Sequence, residues 1–295
     1  MPELVEVAGV GVGTGNLKVP GNLHVAGDIR AGFRVSAGGN LEVDGIVESS
    51  FVEAGGEIHV HGGFAGGGKG KIAAGGDVHV KFAQQAVIET PANVFIGETA
   101  MYCTIRAGKK VVVSGSGVLL GGCVRAGERI EAVQIGSPAV VPTEVEVGID
   151  PRVGEKLRDS RERLESLETR HRLEMENIQF ALSRLGVQFP DPKAHNLSKM
   201  MYLVESLQGQ NDEKAQVALM FLDVLPLMEQ MAVIRHQLRS VGESPTYFPG
   251  AAIVASRCAY PGVTLKIGDQ SMVLSQEYEQ VRFTVRDNTI RVESQ

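Results

Sequence analysis

Histidine is the side chain most able to do chemistry in this chain, and its spacing is regular. Short apolar-x-apolar triplets recur as Leu23-His24-Val25, Leu41-Glu42-Val43, Ile58-His59-Val60 and Val78-His79-Val80, and continue as Val94-Phe95-Ile96, Val111-Val112-Val113 and Ile130-Glu131-Ala132. The middle residue of a three-residue strand points away from the side that its neighbours bury. His24, Glu42, His59, His79, Phe95, Val112 and Glu131 are therefore expected to form one outward ladder. With rungs about 4.8 Å apart, His59 and His79 become near neighbours, a geometry that could hold a transition metal or titrate near neutral pH. An ordinary polar ladder is the simpler expectation, and no resident metal or cofactor is assigned. Gly63-Phe64-Ala65-Gly66-Gly67-Gly68-Lys69 has the GxxxxGK spacing of a phosphate cradle. Gly70 stands where a Ser or Thr is needed, and a strand rather than a long helix is expected next. That stretch reads as an enlarged glycine corner. Asp28, Asp44 and Asp77 sit beside glycines, where capping of turn amides is the expected role.

The elements that would position these groups follow from the repeat. The first members of the triplets are 18, 17, 20, 16, 17 and 19 residues apart. Three-residue strands bounded by glycine, returning every ~18 residues, describe a three-sided coil whose turns bury their faces against one another. Of 36 glycines, 29 lie in residues 1 to 150, as expected of corners that need φ > 0 or a close approach of successive turns. The absence of tryptophan fits a narrow interior filled by Val, Ile, Leu and Ala. Residues 1 to 150 are thus read as a parallel β-helix. The six-residue spacing from Leu17 through Val47 is that of the left-handed hexapeptide β-helix of acyltransferases. It breaks after Val47, and Lys18, His24 and Arg30 occupy positions where that repeat wants small residues.

Composition changes at Pro151. Leu164, Leu167, His171, Met175, Ile178, Leu182 and Leu185 alternate in steps of three and four, the seam of a coiled coil. Gly186 and Pro190 are expected to end this helix. A short helix is expected around Leu197 to Leu207, and then a second long one from Asp212 to Leu238. Its seam is assigned to Leu219, Leu222, Leu225, Met228, Ala232 and Leu238, with Pro226 as a kink or restart. Residues 151 to 244 are read as an inserted, antiparallel helical hairpin. Strand signals resume from Gly250, so residues 245 to 295 are expected to cap or extend the β-helix.

A net charge of −6 without a basic stripe argues against nucleic acid as a partner. Cys103, Cys123 and Cys258 form no CxxC pattern and read as reduced thiols. The first residues lack the basic and apolar regions of a signal peptide, and no stretch is read as spanning a bilayer. A cytoplasmic location is expected.

The succession TGNL (Thr14 to Leu17), AGDI (Ala26 to Ile29), AGGNLEVDG (Ala37 to Gly45), EAGGEIHVHGG (Glu53 to Gly63) and KIAAGGDVHVKF (Lys71 to Phe82) resembles the flagellar assembly protein A family. GGCVRAGERIEAVQIGS (Gly121 to Ser137), TEVEVG (Thr143 to Gly148) and YPGVTLKIG (Tyr260 to Gly268) continue the likeness. The resemblance implies a right-handed β-helix, similar to the C-terminal domain of the septum-site protein MinC and more distantly to bactofilins. It also implies a role in flagellar assembly or protein placement in the bacterial cytoplasm, with no established catalytic site. Family members usually carry a sizeable domain before the TGNL motif, whereas 13 residues precede it here. The chain is therefore expected to be a short paralogue or a trimmed form.

The resulting expectation is a non-catalytic scaffold that binds protein partners and forms a homodimer or higher homo-oligomer. Phe95 and Val112, two apolar residues facing out on consecutive rungs, are expected to be covered by a second subunit or by the returning C-terminal strands. Leu164, Leu167, Ile178, Leu182, Leu222 and Met228 are expected to serve the interface of the helical arm. The competing class is a β-helix enzyme, acyltransferase-like or polysaccharide-directed, which clustered carboxylates in a deep groove would favour.

Overall fold

The computed structural model describes residues 4–186, 212–242 and 248–294. Two compact units emerge, one formed by Met1–Gly154 with Pro245–Gln295 and the other by Glu155–Ser244.

The first unit is a parallel β-solenoid of about eight turns, roughly 18 residues apart. Its pairings fall into three runs. One stacks Leu17–Val19, Arg34–Ala37, Phe51–Ala54, Lys71–Ala74 and Val87–Thr90. The second stacks Leu4–Val7, Asn22–Val25, Leu41–Val43, Ile58–Val60, Val78–Val80 and Val94–Ile96. The third begins with bridges joining Val10, Ile29 and Val47 and continues through Gly63–Ala65 and Ala83–Gln84. Further on, the short strands merge into Thr99–Ala107 and Lys110–Ala126. The second of these turns its corners at Gly115, Gly117, Gly121 and Gly122, all in the left-handed region that glycine tolerates.

Alternation does the sorting. Leu23, Leu41, Ile58, Val78, Val94, Val111 and Ile130 stack along the second run, and all are buried. Each such side chain contributes about 1.5–3 kcal/mol when removed from water. Phe64 is the one large ring in the early third run, stacked between Val47 and Ala83. A side chain at Gly70 would meet its ring at 2.9 Å, so the Gly66–Gly70 corner is wide because it accommodates Phe64. The strand Lys71–Ala74 follows directly, and no helix N-terminus is present there to hold a phosphate.

Glycine occupies many corners for a reason other than backbone handedness. A Cβ at Gly38 would lie 2.1 Å from the Pro20 carbonyl oxygen, at Gly55 2.3 Å from that of Gly38, and at Gly75 2.2 Å from that of Gly55. None of these three has a positive φ. Close approach of the preceding rung excludes a side chain.

The register continues across the insertion. Arg129–Ile135 pairs in parallel with Ala252–Ala259, and Thr143–Val147 with Val263–Ile267. Lys266 Nζ reaches Glu144 Oε1 at 2.8 Å across this junction. The chain then turns antiparallel. Gln270–Val273 folds back on Val263–Ile267, while Tyr278–Arg286 pairs with both Ala252–Ala259 and Thr289–Ser294. Parallel stacking thus ends in hairpins, which cover the edge of the last coil.

Helix α1 spans Pro151–Arg184 and α2 spans Asp212–Gly242. Asp150 precedes α1 and accepts a hydrogen bond from the Arg152 amide at 2.9 Å, as an N-cap does. Gly186, with φ +66, follows the end of α1. Pro226 sits inside a continuous α2, so the helix neither ends nor restarts there. The short helix expected at Leu197 to Leu207 lies outside the described residues. Within the helical unit, Ile178 and Leu182 of α1 form one core with Val217, Ala218, Phe221 and Val224 of α2, and Met175, Leu185 and Met228 pack against it. Arg235 of α2 pairs with Glu168 of α1 at 2.7 Å.

The buried stripe of α2 is displaced from the one expected. It runs through Val217, Phe221, Val224, Leu227, Met231 and Ile234, whereas Leu222 is exposed, as is Leu219. The physical reason is that α2 is apolar on nearly all sides, so two stripes satisfy the same three-four spacing. Packing against α1 selects the one carrying Phe221. Over Lys214–Arg239 α2 is also long and apolar enough, by length and composition, to cross a membrane.

Candidate functional site

The outward ladder forms along the second run. Registered pairs place Glu6 beside His24, His24 beside Glu42, Glu42 beside His59, His59 beside His79, His79 beside Phe95, Phe95 beside Val112, and Val112 beside Glu131. Each pair sits on adjacent hydrogen-bonded strands, so the backbone rather than side-chain contact fixes the spacing.

His59 and His79 stack with ring centroids 4.1 Å apart, and His79 stacks on Phe95 at 4.7 Å. These rings line a groove of about 370 Å³ with His61, Lys81 and Ser114. A second groove, of about 450 Å³, shares His59 and runs past Glu57, Glu42, Asn40 and His24 toward Leu4. Together they make the ladder face a concave, polar and aromatic strip of the solenoid. Phe95 and Val112 are both half-buried. Ala252–Ala259 of the returning segment lengthens the same run, with Val254 beside Glu131.

Electrostatics divide the ladder. Partial burial pushes the His79 pKa below its ordinary value, and the neighbouring His59 adds to this; Asp77 and Glu57 oppose it. His24 is shifted the other way. Its hydrogen bond to Glu6 raises the pKa, desolvation opposes this, and Asp44 raises it further. The His24 ring lies between two carboxylates, with Nδ1 3.0 Å from Glu6 Oε1 and Nε2 3.1 Å from Asp44 Oδ2.

Two residues that sequence reasoning left out of the ladder join it. His61 Nε2 lies 2.9 Å from Glu42 Oε1, and Asp44 contacts His24 rather than a turn amide. Asp28 and Asp77 do cap amides, but on the next rung: Asp28 accepts from the Ile46 amide at 2.8 Å and Asp77 from the Asn93 amide at 2.9 Å. Asn22 and Asn40 do the same for Asn40 and Glu57. The signal for Asp44 and His61 was present. Extending the strand alternation one step beyond Val43 and Val60 turns both residues outward.

The remaining predicted residues lie in the helical unit. Ile178 and Leu182 are fully buried in its core, Leu164 and Leu167 are half-buried, Met228 packs against the core, and Leu222 faces out. Cys103 and Cys258 are buried and Cys123 is half-buried, all as free thiols.

No curated protein and no solved structure matches the chain. The family described as the Flagellar Assembly Protein A beta solenoid domain matches residues 3–290. The match takes in the repeated strands, the inserted helices and the returning coil, and the chain belongs to the flagellar assembly protein A family.

Proposed function

We propose that the protein is a non-catalytic, cytoplasmic scaffold that works in flagellar assembly or spatial organisation by binding other proteins, a second copy of itself among them. Family membership supports a flagellar-assembly-related role. The finer form we infer for the solenoid is a right-handed, three-sided β-helix. Three runs of parallel pairing support the sides, and the general right-handedness of returns to a parallel sheet supports the hand. For the helical unit we infer an antiparallel coiled-coil hairpin, supported by the shared core of α1 and α2 and the Glu168–Arg235 pair.

One observation carries the self-association reading. The outer side of α2 exposes Leu219 at 61%, Leu222 at 42% and Val233 at 55%, and α1 exposes Leu173 and Phe180. Five large apolar side chains in water on a two-helix unit are what an interface between copies needs. Pairing with a second hairpin would bury them.

Size-exclusion chromatography with light scattering on the full chain tests this. The wild type is expected at twice the mass of the chain, and a Leu219→Glu/Leu222→Glu/Val233→Glu variant at the mass of one chain with unchanged helix content. A wild-type chain that runs as a monomer at tens of micromolar refutes the reading. So does a wild-type monomer that co-sediments with lipid vesicles, since a bilayer would then be the surface that covers α2.

A further inference from the structure

Three metal-ligating side chains of two kinds converge on neighbouring rungs of the second run, with a fourth beside them. One oxygen each from Glu42 and Asp44 and one ring nitrogen of His61 lie within 4.8 Å of one another. Asp44 also touches His24 Nε2 at 3.1 Å, which places a second imidazole beside the cluster. We propose that these groups form a surface site for a divalent transition ion of the zinc class, with Glu42, Asp44 and His61 as ligands and His24 as the fourth donor.

The chemistry of the donor set points to that class. Two imidazoles and two carboxylates suit zinc, whereas calcium and magnesium take all-oxygen shells. Zinc bonds of about 2.0–2.2 Å put tetrahedral ligand atoms about 3.3–3.6 Å apart. The ligand atoms of Glu42, Asp44 and His61 already lie within 4.8 Å of one another, so an ion held among them draws these three together while the 2.9 Å contact between His61 and Glu42 opens; His24 follows through its contact with Asp44.

Two features set the site apart from a loose surface cluster. His24 and Glu42 are register neighbours on adjacent strands, and just past the strand ends the His61 amide donates to Val43 O at 2.9 Å and the Asp44 amide to Val25 O at 3.0 Å, so the backbone of three coils fixes the ligand spacing. His24 has Nδ1 against Glu6 at 3.0 Å. That contact orients the ring with Nε2 toward the cluster, as the carboxylate partner of a metal-bound histidine does. The stacked pair His59–His79, the ladder's other histidines, turns its faces together instead.

The test is calorimetric titration of zinc chloride into the full chain in a non-chelating buffer. One-to-one saturable binding is expected, abolished by excess chelator. His61→Ala and Asp44→Asn should each weaken it at least tenfold, and His24→Ala by less. All three side chains point away from the core, so circular dichroism should show the fold retained. A His59→Ala/His79→Ala variant should bind as the wild type does. No saturable heat with the wild type overturns the proposal. So does binding that survives His61→Ala and Asp44→Asn unchanged, or that is lost in the His59→Ala/His79→Ala variant alone.

Discussion

Replacing Gly55 by alanine tests how the corners of the solenoid are built. A Cβ there would lie 2.3 Å from the carbonyl oxygen of Gly38 on the preceding rung, against an ordinary contact of 3.4 Å or more. About 1.1 Å must therefore be found. The corner cannot retreat toward the following rung, because that rung is already at hydrogen-bonding distance, with Gly75 N to Ala54 O at 2.9 Å and Gly76 N to Gly56 O at 2.8 Å. The strain then falls on the inter-rung hydrogen bonds, Gly55 N to Ala37 O and Gly56 N to Gly39 O, both 2.9 Å. Lengthening these by an ångström breaks them. Losing two such bonds costs about 1–3 kcal/mol, and forcing a methyl group into a packed site costs about 1–3 kcal/mol more.

The expected destabilisation of Gly55→Ala is therefore about 2–6 kcal/mol. Gly13→Ala is the matched control, since no atom lies within 4 Å of its added Cβ and its φ is not left-handed. That substitution should be neutral, or stabilise by up to about 1 kcal/mol through the unfolded chain. Urea unfolding followed by circular dichroism, with the midpoint and slope fitted for each variant, measures both. If the two variants agree to within about 0.5 kcal/mol, close approach does not dictate the corner glycines, and the account of the glycine-rich half fails.

Three further outcomes follow from the same structure. Phe221→Ala should destabilise the helical unit by about 3–5 kcal/mol, while Leu222→Ala, made in a Leu219→Glu/Val233→Glu background that removes the proposed interface, should change it by less than about 0.5 kcal/mol; equal effects in thermal melts would show that the buried stripe of α2 is misplaced. Burial pushes the Cys103 thiol up to about 11, so at pH 8 it should resist an aromatic disulfide reagent in the native protein and react once urea is added; rapid native modification at Cys103, located by peptide mapping, contradicts this. His79 has a folded pKa below its ordinary value, so its neutral form favours the fold: this contribution is complete above about pH 6.5 and is lost as pH falls through the folded value. His79, which faces His59, Phe95, Asp77 and Glu57, should on substitution by glutamine flatten the acid side of a melting-temperature profile; an unchanged profile removes it as the cause.

The solenoid was legible because its code is short. A three-residue strand leaves one choice of face, and in Ile58-His59-Val60 only the aliphatic pair can turn inward. Once the triplets are aligned, the neighbours of His79 on the ladder follow without coordinates. Asp44 and His61 were missed for a local reason: the triplet was closed at its second aliphatic residue, although the outward alternation continues one residue further. The stripe of α2 was illegible for a deeper one. Val217, Phe221, Val224 and Met231 satisfy the helical period as well as Leu219, Leu222 and Leu225 do, and every one of them is apolar. Periodicity locates a buried face only where a polar face stands opposite it.

The two kinds of element therefore assign their exposed side chains differently. In the solenoid, the inward aliphatic residues carry the stability of each rung. An outward position such as Glu42, His59 or Phe95 can change its chemistry without asking anything of the core. Histidines and carboxylates gathered on three successive rungs are thus free of any structural duty that inward packing does not already discharge. The helical unit has no such separation. Its outer residues Leu219, Leu222 and Val233 are as apolar as its core, and water is a poor neighbour for them. Polar substitution there should leave the fold of the helical unit intact and alter only what it associates with. That is why glutamate at these three positions, rather than truncation of the buried Phe221, is the change that separates association from folding.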